Sequence, residues 1–278
     1  MHSPRVFRSV LLLMSGLALP AFGADFAMTY KNSSALVNIT NAGAGIVGWN
    51  IDGINNLNYQ SFFYRVGNSP EALVQSISST PTVSFIQVPN ALSKLDVTYA
   101  NSLLSVQTLF QLTGSAAGSG KAGLSETITV KNISASPLDF HLFQYSDFDL
   151  GGLTGGQSIQ FGFDALSQPY TVTQTGGPSS LTETININSA PIGHYRADTT
   201  AATLSSLNDG AATTLVNAAN ASGGNANFTY QWDIVLQPNE TLTISKLMNI
   251  IVPEPSVASM VLAMAALWRF KARKSSKP

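Results

Sequence analysis

Short runs in which apolar and polar residues alternate recur along most of this chain, with turn-forming residues between them. Period-two alternation marks strands that bury one face and expose the other. The clearest row is Phe228, Tyr230, Trp232, Ile234 and Leu236, large apolar side chains of one parity. Residues 124–133 alternate as well and put Leu124, Glu126, Ile128 and Val130 on one side. The same reading predicts strands over 36–40, 45–51, 61–66, 83–88, 94–99, 103–112, 138–148, 159–163, 170–174, 181–187 and 241–251. Asn41-Ala42-Gly43, Gly67-Asn68-Ser69-Pro70 and Gln237-Pro238-Asn239-Glu240 supply turns. No fixed-period repeat is visible, which argues against a solenoid or propeller. The expected class is all-β: a large two-sheet antiparallel β-sandwich whose core is closed by the last two strands. Residues 199–227 have few large side chains and read as a long surface loop with one short helix over 211–219.

The two ends break the alternation. Arg5 and Arg8 precede an apolar stretch over 10–19, and small residues follow at Ala21 and Gly23. A basic lead, a short apolar core and small residues form a secretory signal peptide, with cleavage expected between Gly23 and Ala24. Signal peptidase and the general secretion machinery are the implied partners. At the other end, Pro253-Glu254-Pro255 precedes an uncharged stretch over 257–268, and then Arg269, Lys271, Arg273, Lys274 and Lys277. Two prolines around one glutamate lack backbone donors and hold the segment extended, as an exposed handle. The apolar run falls short of the roughly 20 residues that cross a relaxed bilayer, but snorkelling basic side chains extend it. Basic residues after the helix place the tail on the cytoplasmic side. A buried C-terminal helix with a solvated basic end is the plainer alternative. The organisation expected is a signal peptide over 1–23, a β-sandwich ectodomain over 24–252 and a C-terminal segment with a transmembrane helix over 253–278.

This terminal arrangement resembles the PEP-CTERM sorting signal of Gram-negative bacteria. The resemblance covers under a tenth of the chain, and the tail departs from the family by mixing Lys with Arg up to Lys277-Pro278. It implies exosortase as a partner, transient anchoring in the inner membrane, and cleavage near Pro253, Glu254 and Pro255. Release or transfer to the cell surface or extracellular matrix would follow, often beside exopolysaccharide and biofilm production. The middle of the chain is loosely similar to other ectodomains so tagged, through Trp49-Asn50-Ile51-Asp52-Gly53, Phe62-Phe63-Tyr64-Arg65-Val66-Gly67 and residues 144–152. That likeness implies a two-sheet sandwich and no activity.

Composition narrows the chemistry. Cysteine is absent, which removes disulfides, thiolate metal sites and cysteine nucleophiles. The net charge of −1 hides an asymmetry: residues 25–252 hold seven Lys/Arg against fourteen Asp/Glu, a net of −7. Such a surface disfavours nucleic acid, whose affinity rests on basic contacts to phosphate. Abundant Asn, Ser, Thr and Gly suit neutral partners such as extracellular polysaccharide, and suit an ordinary solvated β protein equally.

Asp147 and Asp149, before Gly151-Gly152, are the best carboxylate pair. In extended backbone they share a face about 7 Å apart, a spacing suited to calcium or to glycosidase carboxylates. Exposed acids at a strand end are the plainer reading. His141 shares that parity but lies about 20 Å away along the strand. His194 sits in a turn-rich stretch, and whether the two histidines meet is open. No Gly-x-Ser-x-Gly or His-Glu-x-x-His occurs. Trp49, Tyr59, Phe62, Phe63 and Tyr64 cluster as core or as a sugar-stacking platform, with core favoured. Thr-x-Thr pairs at 127/129, 171/173, 182/184 and 241/243 have no common period and read as ordinary strand threonines. The expectation is therefore an exported envelope protein with a structural or glycan-associated role, not an enzyme. No cofactor is expected apart from a calcium ion at Asp147 and Asp149. The alternatives are a surface carbohydrate-active enzyme or a calcium-stabilised adhesin using those two residues.

Overall fold

A computed structural model describes residues 25–40, 45–88, 92–186 and 188–253. The expected signal peptide with Gly23 and Ala24, and the sorting segment with Glu254, Pro255, Arg269, Lys271, Arg273 and Lys274, lie outside the described residues. Among the described residues no helix is long and apolar enough to cross a membrane.

In chain order the strands are β1 (Asp25–Tyr30), β2 (Ser33–Asn38), β3 (Gly45–Ile51), β4 (Ile54–Asn55), β5 (Tyr59–Val66), β6 (Ala72–Leu73), β7 (Thr82–Ile86), β8 (Ser93–Ala100) and β9 (Leu104–Gly114). They continue as β10 (Lys121–Asn132), β11 (Leu138–Asp147), β12 (Gln157–Phe163), β13 (Pro169–Gly176), β14 (Ser179–Ile185), β15 (His194–Asp198), β16 (Asn220–Gly224), β17 (Asn227–Leu236) and β18 (Thr241–Ile251). The first sheet runs β1-β2-β3-β5-β11-β17-β15, with β4 and β6 attached at β3 and β5. The second runs β16-β12-β13-β14-β18-β10-β9-β8-β7. All the strand pairs are antiparallel, so the expected two-sheet sandwich is the fold. The last two long strands lie inside different sheets and feed the shared core, β17 from one side and β18 from the other.

Alternation explains the core. From β17, Phe228, Tyr230 and Trp232 are fully buried between the sheets, and from β10 Leu124, Ile128 and Val130 meet them from the other side. Phe148, Phe161, Phe228, Tyr230 and Trp232 form a chain of ring contacts at 5.4–6.4 Å. Burial of one such ring stabilises by about 1.5–3 kcal/mol. Trp49, Phe62 and Phe63 are buried, so the aromatic cluster is packing rather than a sugar platform.

Three expectations are corrected. The helix expected over 211–219 does not form there; the short helix α1 is Ala202–Ser206. The loop expected over 199–227 also holds strand β16, paired with β12, and its part 199–219 is more than a surface loop. Its few large residues, Leu204, Leu207 and Leu215, pack on Phe63, Phe143 and Tyr145, on the first sheet's outer face. The start of β17 and the end of β11 are consequently buried on both faces. The "turn-rich" stretch around His194 is strand β15, paired with β17; Pro191 and Gly193 just before it masked the signal.

Candidate functional site

The register of β5, β11, β17 and β15 arranges the outer face of the first sheet in rows. Arg65, His141 and Asp233 are directly opposite one another across β5, β11 and β17. One row along, Phe63, Phe143, Gln231 and His194 align. At the far end stand Tyr59, Asp147, Asn227 and Asp198. The covering segment 199–219 fills the apolar middle, so a polar cluster emerges at each end.

At the first end, Asp233 is held between two imidazoles. His141 Nδ1 contacts Asp233 Oδ1, and His194 Nε2 lies 3.7 Å from Asp233 Oδ2. Gln231 Nε2 donates to Asp233 Oδ1 at 2.7 Å, while its own Oε1 accepts from the Leu215 amide at 2.8 Å. The far nitrogen of His141, Nε2, stands 3.3 Å from Asp139 Oδ1. The side chains of Asp233 and His194 are 29% and 36% exposed, so solvent and a solute reach them; His141, at 12%, is anchored beneath. Gly193 makes the close approach of β15 feasible: a Cβ there would meet Asp233 Oδ2 at 2.5 Å. Two residues from His194, Arg196 borders a hollow of about 180 Å³ lined also by Thr203, Ser206, Thr213 and Thr214. His141 Nε2 is buried and faces Asp139, so His141 anchors Asp233, and proton exchange with a solute falls to the exposed Asp233 and His194.

Beside this cluster, Arg65 Nε lies 3.0 Å from Glu71 Oε1, and both side chains are sealed from solvent. The Thr213 amide donates to the same Glu71 oxygen at 2.8 Å. This pair fastens the covering segment to the sheet.

At the other end, Asp147 is 6% exposed, and its Oδ2 accepts from Asn58 Nδ2 at 3.0 Å and Asn225 Nδ2 at 3.3 Å. Burial raises its pKa, against the lowering effect of those two amides. Asp149 is raised too, by burial and by the charge of Asp147. The expected pair is therefore close in space, but Asp147 is buried rather than an exposed strand-end acid. No group of three or more His, Cys, Asp or Glu set to hold a metal occurs among the described residues.

His141 and His194 do meet, through Asp233; Asp233 was missed in the sequence. The available signal was its outward parity beside the apolar row of β17, and the partner strands could not be inferred. A third ionic set lies between the sheets. Lys246 contacts Glu126, lies 3.4 Å from Glu183 Oε1, and sits 5.1 Å from the Phe62 ring centre. Gln60 and Gln144 from the first sheet donate to the two glutamates at 3.1 and 3.0 Å. Burial raises the pKa of Glu126, with Lys246 opposing.

No protein-family model matches the chain, and no curated protein matches it in sequence. Solved structures match the fold. A bacterial glucoamylase in complex with acarbose has a TM-score of 0.54 at 11% identity, over 91% of this chain and 36% of that one. This chain thus spans about a third of the glucoamylase's length. A protein of Escherichia coli K12 assigned as an aldose 1-epimerase has a TM-score of 0.51 at 12% identity, over 82% of this chain and 98% of that one. A galactose mutarotase-like protein of Clostridium acetobutylicum has a TM-score of 0.50 at 9% identity, over 81% and 94%. At such identities the likeness establishes the fold alone. It still overturns the expectation of a non-enzyme, because sandwiches of this architecture are carried by proteins assigned as sugar epimerases. That expectation rested on missing sequence motifs, and a cluster assembled from three strands leaves no local motif.

Proposed function

We propose that this chain is a carbohydrate-active enzyme working by general acid–base chemistry at Asp233 and His194, with His141 positioning Asp233, on an aldose with a free anomeric hydroxyl. The observation that carries the reading is one carboxylate held between two imidazoles at a solvent-reachable end of the first sheet. Interconversion of anomers removes a proton from the anomeric hydroxyl and delivers one to the ring oxygen. It therefore needs a base and an acid a few ångströms apart, and positioned groups of this kind accelerate such steps about 10²–10⁴-fold. His141 and Gln231 anchor Asp233, His194 is the exposed proton carrier, and the hollow beside Arg196, with its Thr and Ser side chains, offers partners for sugar hydroxyls. The solved structures assigned as aldose 1-epimerase and galactose mutarotase-like add support at the level of fold.

The terminal residues support export and exosortase processing at Pro253, Glu254 and Pro255, which would place this chemistry at the cell envelope among exopolysaccharide reducing ends. Polarimetry with freshly dissolved aldoses tests the activity: the protein should speed anomer equilibration, and His141→Asn and Asp233→Asn should abolish the acceleration while remaining folded. A wild-type protein that leaves the rate unchanged across a panel of aldoses, or an Asp233→Asn variant as fast as wild type, rejects the reading. For the export reading, the protein recovered from its native host should have lost both ends; a mass that retains residues 253–278 rejects it.

A further inference from the structure

We propose that the end of the first sheet opposite the histidines is a calcium-type cation site, built by Asp147, Asp149, Asn225 and Asn227. Four side-chain oxygens there are buried and receive no hydrogen bond: Asp147 Oδ1, Asp149 Oδ1, Asn225 Oδ1 and Asn227 Oδ1. Buried acceptors almost always find a donor or a cation, so four in one neighbourhood call for a ligand. Asn227 supplies the observation independent of the acids. It is 2% exposed, lies directly across the β11–β17 ladder from Asp147, and spends its amide hydrogens on Thr200 O at 2.8 Å. Its oxygen is left without a donor, on a sheet face that it shares with Asp147. Asn225 behaves alike, since its amide donates to Asp147 at 3.3 Å and leaves its oxygen unbonded.

The donor set decides the chemistry. Two carboxylates and two amide oxygens, with no nitrogen or sulfur ligand, suit a hard cation. Neither carboxylate pairs with a Lys or Arg among the described residues. Calcium accepts six to eight oxygens in irregular geometry, so backbone carbonyls of the loop and water complete the set; magnesium demands a tighter octahedron. With only two charges, the affinity expected is that of extracellular modules, about 10⁻⁴–10⁻³ M. The site joins the loop after β11 to the start of β17 and, through Thr200, to the covering segment.

The test uses the full chain at neutral pH. Calcium at a few millimolar should raise the melting temperature by several degrees over the value in chelator, and magnesium at the same concentration should raise it by less than half as much. Asp149→Asn and Asp147→Asn should each remove the calcium response. Terbium provides a second readout, because Tyr59 stands directly opposite Asp147 and can sensitise it. Terbium emission excited through tyrosine should appear, be displaced by calcium, persist in His141→Asn and vanish in Asp149→Asn. Equal shifts with calcium and magnesium, no calcium shift in the wild type, or terbium emission undiminished in Asp149→Asn overturns the proposal. Should Asp147→Asn fail to fold, Asp149→Asn and Asn225→Ala decide.

Discussion

An ion cluster carried by the second sheet and a carboxylate–imidazole cluster on the outer face of the first differ chiefly in access to water. Between the sheets, Glu126, Glu183 and Lys246 are sealed, with side-chain exposures of 1%, 0% and 0%. On the outer face, Asp233 and its two histidines are 12–36% exposed. Both sets place a carboxylate against a nitrogen base. Only the outer one can exchange protons with a solute, so chemistry belongs there and the inner set is a matter of packing. A buried ion pair is costly to desolvate and still more costly to break, because the abandoned charge remains in a low dielectric. Lys246→Ala should therefore be the most damaging single change in the comparison, lowering stability by about 3–5 kcal/mol in urea unfolding. Replacing the whole set with apolar residues (Glu126→Leu, Glu183→Leu, Lys246→Met) should recover at least half of that loss. A Lys246→Ala variant within about 1 kcal/mol of wild type would show that water reaches the interior.

The outer set should behave in the opposite way. Asp233→Asn should leave the urea midpoint nearly unchanged and cut the anomerisation rate about 10²–10⁴-fold, because it removes the exposed carboxylate beside His194. A large loss of stability without a change in rate would reverse the roles assigned to the two sets. Gly193→Ala probes the same geometry more gently. The new Cβ would collide with Asp233 Oδ2, so the carboxylate must swing away or the strand shift to admit it. A cost of about 1–3 kcal/mol in stability is expected, with a rate loss of about tenfold or more. Since the substitution adds only a methyl group, a rate loss here with the histidines intact would tie activity to placement.

Much of this architecture was legible in the chain because alternation is local. The parity of β17 and β10 follows from spacing alone, and Glu126 could be read onto the inner side with Leu124 and Ile128. What spacing could not give is the partner strand. His141 and His194 belong to strands that never pair with each other, and Asp233 joins them only because β17 lies between β11 and β15. The outward Thr-x-Thr pairs carry the same lesson. They have no period in sequence, yet register aligns Thr171 with Thr184, Thr173 with Thr182 and Thr129 with Thr243 on the outer face of the second sheet. Segment 199–219 was misread for a different reason: three leucines among small polar residues look too sparse for a core, but they meet an apolar strip already present on the sheet.

The smallest effect, and the one that separates the two faces most sharply, is the pH dependence of stability. Burial raises the pKa of Asp147 on the outer face and of Glu126 on the inner one. For Asp147 the unfolded chain gives up its proton near 3.8, before the folded protein does. Stability from this group is therefore complete below that pH and is lost as pH rises through the higher folded value. In chelator, the stability of the wild type relative to Asp147→Asn should accordingly fall as pH rises from about 4 towards neutrality, then level off. Glu126→Gln should show the same sign against wild type. Calcium distinguishes them, because a cation bound beside Asp147 stabilises the ionised carboxylate and cancels its slope. The slope set by Glu126, with no path to the ion, should stay as it was. If calcium flattens both differences or neither, the inner and outer carboxylates are not the separate systems that their burial describes.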